Sequence, residues 1–461
     1  MKRKPLLGLC PIGKFVFSHE DAMKYKKILQ GKLTDWDIDF VDLESVLPDG
    51  MVRDQKHVEP VVEHFKKAGI DCLFLPHCNF GTEGAAGMIA RKLDVPTLLW
   101  GPRDEAPLAD GTRLRDSLCG MFATSKVLRK LGVTFSYIEN CSIENDKFKD
   151  GLDMFLRAAN VANVFRKGTR IGLLGQRIDF FWTTIINESE LLEKFNIEIQ
   201  PLDLVTFIEN VKTRVAENKE QYDAEAEAFR QHAVVEHFDS NEPLWKIYAM
   251  RDEMFSLAEQ HDLEGFATQD FTSLVDAMET YDYYTLSMVA ERYAIGCEAD
   301  IHGCISDILI RRAMLGEAPG WLADVTVRHP EDDNGVLLWH CGAPESMMHT
   351  AEQVRLGKHW ILPSPLAGMT HFKLKDGPIT VCRFDGDTGE YKLAIGQGET
   401  MAGPNTLNNY VWMKVNDWPA WEHKLMQGPF IHHMAMSYGC YADAIIEATR
   451  YIPGLTPVEL D

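Results

Sequence analysis

Over the first third of the chain, short apolar runs at residues 6–10, 38–41, 72–76, 96–100 and 134–138 alternate with stretches whose apolar residues recur at helical spacing. Strands and helices in alternation cover both faces of a sheet, so the pattern predicts a parallel α/β domain. Its first helix is expected to begin after Ser18, with Asp21 three residues on as a short-armed capping box and Ala22, Tyr25, Ile28 and Leu29 at helical spacing. A helical stretch over 146–167 leads into a second alternation, with strands at 170–174 and 198–202 and a mostly helical segment over 205–260. Two strand–helix units follow, 265–268 into 272–292 and 294–298 into 306–314. From about Gly320 the texture becomes β-type, with runs at 335–341, 379–384, 390–395 and 410–415 between Gly, Pro and Asp turns, then a last strand at 431–438 and a helix at 443–451. The expected fold class is α/β: two Rossmann-like parallel-sheet domains, over 1–167 and 168–318, followed by a mostly antiparallel β domain over 319–461.

Composition narrows the function classes. Of 461 residues, 45% are hydrophobic and 25% charged, a globular balance that argues against disordered or fibrous chains. The 69 acidic against 47 basic residues give a net charge of −22, which repels a phosphate backbone, so nucleic acid is not an expected partner. The apolar run at 5–12 is too short for a signal peptide and no later run reaches membrane-spanning length, which sets the expectation of a cytoplasmic protein without a membrane partner. Ten cysteines are scattered without CxxC pairs and should be reduced, although Cys297, Cys341 and Cys440 fall in or beside segments that carry candidate chemistry.

The candidates lie at strand ends, where open α/β sheets bind ligands. The loops at 11–17 and 77–84 are rich in Gly, His and Asn, and His77-Cys78-Asn79-Phe80-Gly81 reads equally as a binding loop or as a turn. Asp270 and Asp300 each follow an apolar strand and should emerge at one edge of one parallel sheet; an Asp in that place is also the expected cap of the next helix. His432 and His433 are adjacent in a strand, where neighbouring side chains point to opposite faces, so only one should face a given site; His340 sits in another β run. If Asp270, Asp300 and His433 met, two carboxylates and one imidazole would suit a divalent Mn²⁺, Mg²⁺ or Co²⁺ with positions left for substrate.

At these residues the chain resembles the L-fucose isomerase and L-arabinose isomerase superfamily, and its fucose-isomerase-like branch most closely. The similarity is carried by Gln269-Asp270-Phe271, by Cys297-Glu298-Ala299-Asp300-Ile301, by Leu322-Ala323-Asp324-Val325, by Trp339-His340-Cys341-Gly342, and by His433 with Gly439 six residues on. It extends to Arg113-Leu114-Arg115-Asp116-Ser117-Leu118-Cys119-Gly120 and Leu173-Leu174-Gly175, and so covers nearly the whole chain. The resemblance implies a β-barrel-like C-terminal domain, a trimer or hexamer whose subunits complete one another's sites, and a metal, Mn²⁺ first, held by Asp270, Asp300 and His433. The family usually has Glu where this chain has Asp270, one methylene longer.

The implied reaction is aldose–ketose isomerisation of a monosaccharide, deoxy- and sulfo-sugars included among the candidates, through a cis-enediol. Asp270 and Asp300 would be its base and acid, and Gln269, His340 and His432 would contact substrate. A non-catalytic sugar-binding or sensor protein and a metal-dependent aldolase or lyase are the competing classes. A sulfonated or phosphorylated sugar would call for a cation, for which Arg103, Arg115 and Arg177 are the loop-borne candidates.

Overall fold

The computed structural model describes residues 4–359 and 365–461. The chain forms two compact units, Lys2–Asn163 and Val164–Asp461, the division falling inside the helix Asp146–Lys167.

In the first unit, Leu7–Leu9, Phe40–Val41, Cys72–Pro76, Thr97–Trp100 and Ser136–Tyr137 form one five-stranded parallel sheet. The second strand lies at one edge, followed by the first, third, fourth and fifth, a doubly wound order. Its central strands Cys72–Pro76 and Thr97–Trp100 are buried throughout, as their unbroken apolar runs require of a sheet covered on both faces. The helix His19–Asp35 begins where the sequence places it: the Ser18 side chain accepts from the Asp21 N–H.

The second unit contains a four-stranded parallel sheet and a barrel. The sheet runs Ala294–Gly296, Gly265–Thr268, Thr169–Leu174, Ile197–Leu202 in space, so the strands that precede Asp270 and Asp300 are direct neighbours. The barrel follows the order Glu390–Met401, Pro378–Asp387, His433–Tyr438, Trp321–Arg328, Gly335–His340, Asn409–Lys414, and the last strand pairs back onto the first to close six strands. Gly396 marks a close approach: a Cβ there would stand 2.3 Å from the Trp421 ring, so only glycine lets the helix Trp418–Gln427 lie on this strand. The segment expected to be mostly helical over 205–260 forms Leu204–Glu217, Lys219–Arg230 and Glu242–His261, and is broken by a two-residue strand, Val234–Val235, that pairs with Arg355–Lys358. The strands Trp321–Arg328, Arg355–Lys358, Ala367–Lys373 and Leu455–Glu459 go beyond the expected set.

One helix ties sheet to barrel. Ile301–Ala313 is buried along nearly its whole length, and its Ser306 hydroxyl accepts from the Phe384 N–H in the barrel strand Pro378–Asp387 at 2.8 Å. The first turn of this helix is thereby held against Arg383 and His433. No helix among the described residues is long and apolar enough to cross a membrane.

Candidate metal and active site

Local backbone geometry aims the key acid. After the strand Ala294–Gly296 the chain makes a 3-10 turn, Cys297–Ala299, in which Glu298 and Ala299 both take left-handed angles, φ 61° and 57°. Asp270 fastens that turn: its Oδ1 accepts from the Glu298 N–H at 2.8 Å. The turn presents the Glu298 carboxylate to the barrel, and Asp300 follows as the cap of Ile301–Ala313, accepting from Gly303 N–H at 2.9 Å. The capping role weighed from the sequence is thus present at Asp300, whereas Thr272, not Asp270, stands at the start of the helix Ser273–Met278.

The barrel supplies the partners by register. In antiparallel pairing, Asp324 stands directly opposite His433 and, on its other side, opposite Trp339, the neighbour of His340. Directly opposed residues project from the same face, so Asp324 and His433 are brought together by strand pairing itself. His433 Nε2 lies 3.3 Å from Glu298 Oε2 and 3.3 Å from Asp324 Oδ1. All three atoms are buried and lack a hydrogen-bond partner among the described residues. Such orphaned groups are costly to keep unless something else binds them. Around them, His340 Nε2 is 3.7 Å and His432 Nε2 3.8 Å from the same Asp324 oxygen.

Among the described residues, two sets of side chains could hold a metal ion, Glu298 with His432 and His433, and Asp324 with His340 and His433, the donor atoms in each lying within 4.8 Å of one another. Neither set includes Asp270 or Asp300. Both oxygens of Asp300 are already engaged, Oδ1 by Gly303 N–H and Arg383 Nη2, Oδ2 by Arg383 Nη1 and His433 Nδ1. Arg383 in turn donates to Asp385, and His302 Nδ1 lies 3.0 Å from Asp385 Oδ1, so a buried chain of charges stands behind His433. The expectation that only one of His432 and His433 can face the site does not hold. His433 opens its strand and His432 precedes it, where the pleat no longer forces alternation. Gln269 is half-buried beside Gly175, its N–H donating to the Leu174 carbonyl at 2.9 Å.

The electrostatics follow from who faces whom. Burial alone would keep His433 neutral, but hydrogen bonding to Asp300 and the nearness of Glu298 and Asp324 raise its pKa to about 10. Burial pulls His340 down to about 4, against the opposing pull of Glu298. Burial pushes Asp324 up, partly offset by His433 and His432. At Asp300 burial also pushes upward, yet the Arg383 guanidinium and the His433 hydrogen bond hold the carboxyl far below the usual range. Asp270 is driven well up by burial and by Asp282 and Glu298, and burial takes Asp282 to about 7.

Glu298 and Asp324 belong to the family-like segments of the sequence, where no role is expected of them. For Glu298 the available signal was two acids spaced i, i+2 after one strand, which cannot both cap the helix; for Asp324 it was an acid inside a β run, where charge is out of place unless it is used.

Two carboxylates and an imidazole gathered at the junction of an α/β sheet and a β barrel define an acid–base centre able to hold a divalent cation. Residues 8–166 match the family described as "Fucose/sulfoquinovose isomerase, N-terminal domain", and residues 362–454 match "L-fucose isomerase, C-terminal domain". Among characterised proteins, the chain is 25% identical over 450 residues to a sulfoquinovose isomerase from Priestia aryabhattai, covering 96% of each chain. It is 26% identical over 325 residues to one from Alkalicoccus urumqiensis, covering 69% of each. The chain belongs to the fucose isomerase-like family and is an isomerase.

Proposed function

We propose that this chain interconverts the aldose and ketose forms of a sulfo-sugar, with a divalent cation, Mn²⁺ first, held by Glu298, Asp324 and His433. The observation that carries the reading is the approach of two buried, unsatisfied carboxylate oxygens, Glu298 Oε2 and Asp324 Oδ1, to the same buried nitrogen, His433 Nε2, in a chain aligned over nearly its full length with sulfoquinovose isomerases. Two carboxylate oxygens and one imidazole nitrogen suit Mn²⁺, Mg²⁺ or Co²⁺ better than structural zinc, which takes four closed ligands. A bound cation of this kind polarises the sugar carbonyl and spreads the charge of the enediolate.

The chain's own residues do the rest. Asp300 accepts from His433 Nδ1–H, which leaves Nε2, facing Glu298 and Asp324, as the nitrogen that would give up its proton to a bound cation. Asp270 keeps Glu298 in its left-handed turn. Of the two acids beside His433, one takes the C2 proton and returns it to C1, while the other moves a hydroxyl proton between O2 and O1, giving a cis-enediol between the two sugars. Asp300 thus supports this reaction by positioning rather than as its acid, both its oxygens being committed to Gly303, Arg383 and His433, and Asp270 acts through the Oδ1 that holds the Glu298 N–H, its Oδ2 having no partner among the described residues. Gln269, His340 and His432 border the site as contacts for sugar hydroxyls. A homotrimer or homohexamer in the cytoplasm belongs to the same reading.

The test is ketose formation from a 6-sulfo-aldose by chelator-stripped protein, before and after Mn²⁺ is restored, in D₂O. Activity that returns with the metal and deuterium at C1 of the ketose are the expected results. Turnover unaffected by chelation would remove the cation, label-free product would replace the enediol with a hydride shift, and cleavage of the carbon chain would indicate a lyase.

A further inference from the structure

A sulfo-sugar carries a fixed negative charge at the end remote from C1 and C2, and an isomerase for it must give that charge a partner. The net charge of −22 makes the need sharper, since acidic residues outnumber basic ones 69 to 47. The structure separates the three arginines that the sequence offers. Arg115 is fully buried and consumed by Asp21, Asp104 and Glu105. Arg103 belongs to the other compact unit, outside the sheet that carries Asp270 and Glu298.

Arg177 differs from both. It is half-buried, three residues beyond the strand Thr169–Leu174, on the same carboxyl edge as Asp270. That strand pairs in parallel with Gly265–Thr268, Leu174 opposite Thr268, and neighbouring strands are about 4.8 Å apart, so the two loops leave the sheet side by side. They also touch: Gly175 takes φ +83°, and a Cβ there would stand 2.9 Å from the Gln269 Cβ, while the Phe181 and Phe271 rings meet edge to face at 6.0 Å. The Arg177 guanidinium is aimed by main chain, its Nη1 donating to the carbonyls of Ile178 at 2.8 Å, Asp179 at 3.3 Å and Phe181 at 3.0 Å. Among the described residues it has no carboxylate partner, so its full charge and its other N–H groups stand ready for an external anion. The exposed Phe180 and Trp182 on the same loop give that anion an apolar rim.

We infer that Arg177, clamped by the carbonyls of its own loop beside Gln269–Phe271, is the specificity-determining residue that binds the sulfonate of the substrate. The inference rests on reading the site as an isomerase centre for a sulfo-sugar. A guanidinium fork also fits phosphate, so the shared chemistry is a terminal tetrahedral anion, and the two sources are separated by assay.

The experiment compares the Mn²⁺-loaded wild type with Arg177→Met and Arg177→Lys on three aldoses of one ring configuration: 6-deoxy-6-sulfo, 6-deoxy and 6-phospho. A hydrogen-bonded charge pair contributes about 10- to 100-fold, so Arg177→Met should raise KM for the sulfo-sugar by that factor while kcat/KM on the neutral sugar holds. Arg177→Lys should recover part of the loss. A loop that had merely collapsed would lower all three substrates together, which counts against the inference, as does an unchanged ratio of sulfo to neutral kcat/KM. If Arg177→Met fails to fold by circular dichroism, the lysine variant decides: a selectivity ratio equal to wild type overturns the assignment and a lowered one supports it. Wild type preferring the phosphate, with the preference lost in Arg177→Met, supports the anion site and reassigns its source. Wild type that isomerises neutral sugar but shows no preference for either anion overturns the substrate reading and the inference with it; a strong sulfo-sugar preference that survives Arg177→Met overturns the inference alone.

Discussion

Two histidines, each fully buried and each at the end of a strand, are driven in opposite directions. His77 in the first unit ends the run Cys72–Pro76, and its Nδ1 lies 2.8 Å from the Phe80 carbonyl; burial pulls its pKa down to about 4. His433 in the second unit is as buried, but faces Asp300, Glu298 and Asp324, and is raised to about 10. Burial by itself makes a neutral, structural imidazole; surrounding carboxylates make a place for positive charge. The loop at His77 has turn geometry and is tied to the neighbouring loop, with Asn79 Oδ1 accepting from Lys14 and Gly81 and with Gly81 at φ +81°. A buried histidine at a strand end looks equally functional in either unit until its neighbours are known.

The comparison breaks most visibly at the acids. Glu298→Gln keeps shape and removes charge, and should lower kcat by about 1,000-fold or more while weakening Mn²⁺ binding, as read by steady-state kinetics and metal titration. Near-normal turnover would return the site to the strand-end aspartates.

His77 tests the other side. Its folded pKa of about 4 lies below the ordinary histidine value of about 6.5, so the unfolded chain binds the proton more readily in that window. Its contribution is whole above about pH 6.5 and is lost as pH falls toward 4, about 3 kcal/mol in all. Denaturant unfolding at pH 7 and 4.5 should show a shallower pH dependence in His77→Gln than in the wild type.

Asp300→Asn separates positioning from ligation. If Asp300 acts through His433, Mn²⁺ affinity should fall about 10- to 100-fold and activity should return at high Mn²⁺. A direct ligand or proton donor would leave kcat low at saturation. Thermal unfolding should be followed in parallel, since Arg383 loses half its compensation.

The smallest change is expected for Asp270→Asn. The amide oxygen can still accept from the Glu298 N–H, so kcat should stay within about 10-fold of wild type, whereas loss of a catalytic base costs about 100- to 10,000-fold. Asp270→Ala, which frees the turn, should do more damage than the asparagine.

Much of the fold was legible because its strands are written as local pattern. The five strands of the first sheet and Gly265–Thr268 follow from apolar runs bounded by turn residues. The site was legible only in part, since His433 and the two strand-end acids were named but Glu298 and Asp324 received no role. Glu298 and Ala299 take consecutive left-handed positions without the glycine or asparagine that would announce them, so on the proposed reading the rule of the acid after the strand points two residues beyond Glu298. Asp324 owes its place to pairing with His433, more than a hundred residues away, and no local window contains that register. Trp321–Arg328 itself bears Asp, Thr and Arg among its apolar residues, which blurred its period.

That register has a further consequence. A slip of a single residue between Trp321–Arg328 and His433–Tyr438 would turn Asp324 to the far side of the sheet and leave His433 without it. If Glu298, Asp324 and His433 hold a cation as proposed, chains that pair wrongly could not load it, and metal uptake during refolding would count only molecules whose barrel has closed in the right frame.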